Sequence, residues 1–307
     1  MARSQRIAFL VMAALIATAP FLLYPVFLMK VLCFALFATA FNLLLGFVGL
    51  LSFGHAAYFG MGSYISAHAA KVWGLTPELA ILAGGLVAAG LGTAFGWLAI
   101  RRAGIYFAMI TLALAQMVYF FCVQAPFTGG EDGIQAVPRG RLFGLIDLGN
   151  DFVLYWVVAA IFLAGFLFVW RVVHSPFGQV LKAIRDNEPR AVSLGYRVET
   201  YKLIAFVLSA ALAGIAGGTK AIVFQIATLT DVNWPMSGEA VLMTLLGGIG
   251  TMFGPSVGAL VIITMQNELA QIGAWVTVVQ GAIFVACVLA FRRGIIGELQ
   301  AKLRRPL

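Results

Sequence analysis

Charge is the scarcest ingredient of this 307-residue sequence, with Asp, Glu, Lys and Arg together making up 10%, against roughly 25% in a soluble domain. So few charges cannot cover a soluble monomer of this size. Disorder, nucleic-acid-binding modules and ordinary cytosolic enzymes are therefore excluded. Cysteine is scarce too: Cys33, Cys122 and Cys287 sit in apolar runs without metal-like spacing, which reads as small buried hydrophobes. No G-x-x-x-x-G-K-[ST] phosphate loop is present, since Gly217-Gly218-Thr219-Lys220 lacks the Gly-Lys pair. Any dependence on ATP must then come from a partner chain. HExxH, CxxC and nucleophile-elbow patterns are missing as well, which leaves membrane-enzyme chemistry unsupported.

What the sequence does have is apolar surface, at 62% of residues, together with 34 glycines. The chain reads as an integral membrane protein. Crossing a ~30 Å hydrocarbon core takes about 20 residues of helix. Runs free of charge mark the candidates: 7–29, 31–70 (room for two helices), 79–100, 104–124, 152–170, 203–219, 240–267 and 269–291. None alternates as a membrane β-strand would, so helices are the expected elements. Arg3, Arg6 and Ala17-Thr18-Ala19 imitate a signal peptide, but the apolar run continues to Met29 and reads as a retained helix.

Orientation follows the basic residues. The segment 171–202 carries Arg171, Lys182, Arg185, Arg190, Arg197 and Lys202 against three acids, and Arg101-Arg102 and the tail (Arg292, Arg293, Lys302, Arg304, Arg305) are also basic. The segment 125–151 instead holds Glu131, Asp132, Asp147 and Asp151 against two arginines. Positive charge inside puts both termini and 171–202 in the cytoplasm and 125–151 outside. Much of the net charge of +8 is thus an orientation label. An even number of crossings must then separate 171–202 from the tail, yet three apolar runs lie between. The run 240–267 is the one expected not to behave as a simple span, because Gly247-Gly248-Ile249-Gly250-Thr251-Met252-Phe253-Gly254-Pro255 breaks it.

A matching break occurs early, at Leu44-Leu45-Gly46-Phe47-Val48-Gly49-Leu50-Leu51-Ser52-Phe53-Gly54. Paired interrupted segments mark transporters built from internal repeats, while small residues also simply favour close helix packing. The pathway candidates are therefore Asn42, Gly49, Ser52, Gly54, His55, Glu239, Gly247, Gly248, Gly250, Gly254 and Pro255. His55 and His68 suit interhelical bonding. Asn42, Gln116 and Gln225 suit interhelical bonds or a polar lining. Glu239 and Glu268 bracket the broken run, either solvated at the membrane boundary or facing a pathway. Mid-span acids, which an ion-coupled transporter or channel would need, are absent from the runs.

Between two basic stretches, Ser175-Pro176 starts a short helix with Phe177, Val180, Leu181 and Ile184 on one face and Lys182 and Arg185 elsewhere. Glu188-Pro189 interrupts it, and a second turn ends at Gly195, a left-handed cap. Two short basic helices suit docking into a partner's groove or lying at the headgroup boundary.

Glu188-Pro189-Arg190-Ala191-Val192-Ser193-Leu194-Gly195 with Tyr201-Lys202-Leu203-Ile204-Ala205-Phe206 resembles the cytoplasmic loop of ABC importer permeases. Gly49-Leu50-Leu51-Ser52-Phe53-Gly54-His55-Ala56-Ala57-Tyr58, Thr128-Gly129-Gly130-Glu131-Asp132-Gly133-Ile134 and Leu246-Gly247-Gly248-Ile249-Gly250-Thr251 with Gly254-Pro255 extend the likeness across 44–297. Together they are similar to the branched-chain amino acid (leucine/isoleucine/valine) permease family, in its second-subunit type. The resemblance implies one permease domain over 1–307 in the bacterial inner membrane. The implied partners are a second homologous permease, two cytoplasmic ATPases that hold ATP and Mg, a periplasmic or extracellular substrate-binding protein and the lipid bilayer. No cofactor on this chain and no nucleic acid are implied. The coupling segment becomes 176–195, with Glu188, Ala191 and Gly195 at the family's core positions and Phe177, Leu181 and Arg185 beside them. Family substrates also include urea, short amides and aromatic acids. The expected fold is an all-α polytopic bundle of eight to ten membrane segments with interrupted or re-entrant helices and internal repeats.

Overall fold

The computed structural model describes residues 3–269, 276–290 and 293–303; Arg292, Arg304 and Arg305 of the basic tail lie outside them. The chain is helical almost throughout. Among the described residues, five helices are long and apolar enough to cross a membrane: α2 (Pro25–Phe47), α4 (Pro77–Ala99), α5 (Ile105–Gln124), α6 (Asp151–Val173) and α9 (Val198–Phe224), with α1 (Arg3–Thr18) and α3 (His55–Lys71) among the shorter ones. Further shorter apolar helices are α11 (Trp234–Gly247), α12 (Gly254–Leu269) and α13 (Val276–Ala290). The protein is an all-α, multi-pass membrane protein, with five helices of spanning length among the described residues. The short amphipathic α7 (Pro176–Asp186) and α8 (Glu188–Ser193) join α6 to α9, the four-residue α10 (Leu229–Val232) precedes α11, and α14 (Gly294–Leu303) closes the described chain.

Proline sets several starts. Pro25, Pro77 and Pro176 occupy the first turns of α2, α4 and α7, where a missing N–H costs nothing. Because Pro20 and Pro25 interrupt the first apolar run, it is not one segment. α1 ends at Thr18, a 3₁₀ turn follows over Ala19–Phe21, and α2 then runs on past Lys30. α2 is buried from Leu28 almost to its end, as an all-round apolar helix at the centre of a bundle must be. α9 is the second central helix, and α4 approaches it through Gly84, Gly85 and Ala88 against Gly214, the small-residue packing favoured in membranes.

The run 240–267 is not one simple span, because it divides into two helices. α11 and α12 are antiparallel and folded together at 248–253. The turn lies at the end of the bundle that carries α7 and α14, with the Cα of Gly248 against Gly294, so it does not interrupt a helix at mid-depth. The early break behaves differently. Residues 48–54 leave the same end and rise into the bundle, where α3 begins at His55 beside Ser209. That point is 11 residues, about 16 Å, along α9 from its start. Irregular backbone at membrane depth must be satisfied by protein. Here Phe53 N–H donates to Thr111 Oγ1 (3.2 Å) and Gly54 N–H to Ser52 Oγ (3.2 Å).

At the opposite end, the 125–151 loop is tied to the exit of α9. β1 (Ile134–Gln135) pairs antiparallel with β4 (Ile226–Ala227), and β2 (Arg141–Leu142) pairs with β3 (Ile146–Asp147). Arg139 bridges Asp151 (2.6 Å) and the Val223 carbonyl (3.1 Å). Val137 N–H donates to the Gln225 carbonyl (3.0 Å).

Candidate functional site

The α7–α8 element is built by its caps. Ser175 Oγ accepts from Gly178 N–H (3.3 Å), and Asn187 Oδ1 accepts from Arg190 N–H (3.0 Å) to start α8. Gly195, with φ at 87°, turns the chain out. The apolar face of α7 points inward: Leu181 and Ile184 are buried, and Phe177 stacks on Tyr201 with ring centroids 5.5 Å apart. Ile184, Ala191 and Val198 form a small core of their own, flanked by Val180 and Tyr201. Leu181 and Ala191 thus hold the element to its own bundle. The side chains left outward are Val192, Leu194 and Tyr196, at 57%, 69% and 41% exposure. Motif matching did not single them out, although alternation with the buried Ala191 would have revealed Val192.

Glu188 accepts an ion pair from Lys202 Nζ (2.6 Å), whose side chain is only 7% exposed. Lys182 lies over the Phe47 ring at 5.8 Å, and partial burial with Arg185 nearby pulls its amine below the usual lysine range.

Arg185 reaches furthest. Its Nη1 donates to the Gly46 carbonyl at the end of α2 (2.6 Å), while Nε and Nη2 hold Asp186 Oδ1. Its stem lies against Gly49, where φ of 82° and a Cβ position 2.9 Å from Arg185 Cγ leave room only for glycine. Four residues earlier on α2, Asn42 clamps the other break. Its Nδ2 donates to the Thr251 carbonyl (2.9 Å), and its Oδ1 accepts from Gly250 N–H (3.0 Å). A Cβ on Gly46 would fall 2.6 Å from the Gly250 nitrogen, so the two breaks are in backbone contact. Thr251 Oγ1 closes the second turn, donating to the Gly248 carbonyl (2.7 Å) and accepting from Gly254 N–H (3.1 Å). The two glycine-rich motifs, 200 residues apart in sequence, therefore meet under one guanidinium. Of the proposed set, Asn42, Gly49, Arg185, Gly247, Gly248, Gly250 and Gly254 with Pro255 come together here.

Ser52 and His55 lie deeper. Ser209 spends its one proton on the Ala40 carbonyl (2.5 Å), so His55 Nε2 must be the donor in its 2.8 Å bond to Ser209 Oγ. The ring is packed edge-on among Phe41, Tyr58 and Phe206, an interhelical tie of the expected kind. His68 packs on Trp73 and Phe127 near the loop end. Gln225 bonds Val137, and Glu268 is exposed near the end of α12. Glu239 is half-buried on α11. Outside the apolar runs, Asp231 on α10 is nevertheless buried, at 2% exposure, and paired with Lys220 Nζ at 2.7 Å. Lys30 and Lys220, at the edges of charge-free runs, lie within α2 and α9.

The family described as the branched-chain amino acid transport system / permease component matches residues 25–288. This chain belongs to that family. It is 25% identical over 286 residues to the high-affinity branched-chain amino acid transport system permease protein LivM of Escherichia coli (strain K12), spanning 86% of this chain and 67% of the relative. LivH of the same strain is 23% identical over 285 residues, 86% of this chain and 91% of the relative. No solved structure matches the chain. The two glycine-rich breaks, the α7–α8 element and the 125–151 loop all fall inside the region matched to the permease family.

Proposed function

We propose that the chain is the membrane-spanning permease subunit of an ATP-driven, binding-protein-dependent importer of branched-chain or related amino acids in the bacterial inner membrane. Its partners are a second homologous permease, two cytoplasmic ATPase subunits that hold ATP and Mg, and a binding protein that delivers substrate from outside. This chain contributes transport without a nucleotide site of its own. The basic α7 end and both termini face the cytoplasm, and the acidic 125–151 loop faces outward.

The observation that carries this reading is the position of Arg185. It sits on a two-helix element whose outer face offers Val192, Leu194 and Tyr196, and its inner end grips the turn where both glycine breaks meet. An ATPase groove that moves α8 therefore moves α2, α11 and α12 through one short linkage. Closure of the paired ATPases draws the α7–α8 elements together and rocks these helices, the alternating access that such breaks serve.

The test is co-purification and uptake. A Val192→Asp, Leu194→Asp double variant should insert normally but lose the ATPase subunits on purification. Retention of wild-type ATPase content would contradict the docking surface. Outside, charge reversal at Glu131 and Asp132, both exposed, should weaken capture of the binding protein, and unchanged capture would remove that contact. Uptake of leucine, isoleucine and valine in competition with urea, short amides and aromatic acids identifies the substrate class. The amino acids should win.

A further inference from the structure

A groove of about 710 Å³ lies between α4, α6 and α9 beneath the β2–β3 hairpin, away from the linkage through Arg185. Ala160 and Ala164 on α6 and Ala211 on α9 line it, small where bulkier residues would close it. Along α9 the lining runs from residue 208 to residue 223, a rise of about 22 Å. One leaflet of a ~30 Å hydrocarbon core is about 15 Å deep. Only Glu78 and Thr219 bring polar side chains to the lining, and each is already bonded. Thr219 Oγ1 donates to the Ile215 carbonyl (2.7 Å), and Glu78 Oε1 accepts from Phe143 N–H (3.0 Å). A small polar solute would lose its hydration there and gain little. A hydrocarbon chain suits these walls.

The hairpin over the groove marks a boundary. Phe143 and Gly144 turn it at φ of 50° and 73°, and Phe143, Leu145 and Ile146 all stand exposed. Apolar side chains clustered on a loop tip suit lipid better than water. On the other side of the hairpin lies a second hollow of about 470 Å³, lined by Arg139, Arg141, Asp147 and Gln225. The two hollows share a wall. Leu148 N–H on the groove side donates to the Gly140 carbonyl (3.2 Å), and Arg139 Nη2 donates to the Val223 carbonyl (3.1 Å). A Cβ on Gly140 would stand 3.2 Å from Pro77 Cδ at the groove's rim. Arg139 is paired with Asp151 (2.6 Å). Arg141 and Asp147 are opposite each other in the β2–β3 register. Yet among the described residues Arg141 forms no side-chain hydrogen bond and no ion pair within 4.0 Å, and Asp147 Oδ1 holds only the Gly149 N–H (3.0 Å).

We infer that the groove and the polar hollow together bind one phospholipid with an ethanolamine headgroup. An acyl chain lies between α4, α6 and α9, the phosphate meets Arg141 and the ammonium meets Asp147. An apolar hollow and a charged one that share a wall have the layout of an amphiphile. Both headgroup contacts are charge-assisted hydrogen bonds. A headgroup of net negative charge would leave Asp147 opposing it, and a quaternary ammonium has no hydrogen to donate. The bound chain supplies the packing that the alanines of α6 and α9 leave out. It therefore holds α6 against α9 on the side of the bundle nearest the 125–151 loop, and its binding should stabilise the fold.

The experiment is native mass spectrometry of the purified complete transporter, stripped of lipid and offered equal amounts of phosphatidylethanolamine, phosphatidylcholine and phosphatidylglycerol with identical chains. The ethanolamine lipid should be held about tenfold more tightly than the others, the lower end of the worth of a charged hydrogen bond, and should raise the melting temperature. Glycerophosphoethanolamine, which has the headgroup without chains, should not displace it. Arg141→Gln should remove most of the preference and Arg141→Lys should restore it, while Asp147→Asn should shift it toward phosphatidylglycerol. Ala164→Trp, which fills the groove, should abolish both the tight retention and the melting shift. Elution volume checks that each variant assembles. Equal retention of the three lipids, an unchanged preference in Arg141→Gln and Asp147→Asn, or unchanged retention in Ala164→Trp would each overturn the site. A benzophenone side chain placed at position 164 should cross-link to lipid in membranes; cross-linking to the second permease instead would put protein in the groove and overturn the site as well.

Discussion

Replacing Asn42 with leucine tests the clamp between the two glycine-rich breaks. The side chains have the same number and branching of heavy atoms, so no cavity opens, and the loss of two hydrogen bonds is joined by crowding from the bulkier leucine methyls. Asn42 is 1% exposed, and its bonds to Thr251 and Gly250 are 2.9 and 3.0 Å long. The Thr251 carbonyl belongs to a residue only 8% exposed and would be left without this partner. The Gly250 N–H is half-exposed and can recover water. An abandoned buried partner costs about 1–3 kcal/mol and a net hydrogen bond about 1, which together give about 2–4 kcal/mol. Asn42→Asp should be worse than leucine at neutral pH. It keeps the bond from Gly250 but sets a carboxylate oxygen against the Thr251 carbonyl where an amide had donated. The assay is thermal melting of the purified complex in lipid discs, with limited proteolysis in the 248–253 turn. Both variants should melt several degrees lower and be cut faster in the turn, with aspartate the more affected. A leucine variant that melts and digests like the wild type would refute the clamp.

Breaking the Glu188–Lys202 pair should be asymmetric. Lys202 is 7% exposed and Glu188 is 45% exposed, so Glu188→Gln strands a buried cation while Lys202→Met leaves a carboxylate that water can reach; melting should fall by about 1–3 kcal/mol for the first and less for the second. Lys182 responds to pH. Its folded pKa lies below the unfolded value near 10.5 because of burial and the Arg185 charge, so its protonated form weighs against folding at neutral pH and that burden lifts as pH rises toward 10.5. Lys182→Met should therefore melt higher than wild type at pH 7, and the difference should shrink in alkaline buffer. A constant difference across that range would show that desolvation is not its cause.

The α7–α8 element was legible because its signals are local. Ser175-Pro176, the Glu188-Pro189 break and Gly195 each act within a turn of chain, and all three fall where the backbone changes. The two glycine-rich motifs could be paired by their spelling alone, but their contact depends on Asn42 meeting residues 208–209 positions away, which no local pattern reports. Their conformations also diverge, one rising into the bundle and the other closing a helical hairpin. That difference is set by what surrounds each: Thr111 and Ser52 satisfy backbone N–H groups at depth, while Gly294 packs on the hairpin turn. Residues 7–29 misled because apolar content continues through Pro20 and Pro25 although helical geometry does not. Runs delimited by Lys, Asp and Glu cannot contain interior charges, so Lys30 and Lys220 stand at run edges although both lie within helices, α2 and α9. The inward-facing Leu181 and Ala191 show a similar limit: amphipathicity identifies an apolar face without saying whether it packs on the chain's own helices or on a partner.

In the proposed linkage, Arg185 transmits motion from the α7–α8 element to the glycine-rich turns. The direct measurement is the number of amino-acid molecules imported per ATP hydrolysed in proteoliposomes carrying the complete transporter, comparing wild type with Arg185→Met, which keeps the apolar stem beside Gly49. A charged hydrogen bond is worth about 1.5–3 kcal/mol, and the lower end applies to a side chain that is 38% exposed. Losing it should cut the ratio about tenfold while the ATPase subunits stay bound and hydrolyse ATP. An unchanged ratio would contradict the claim.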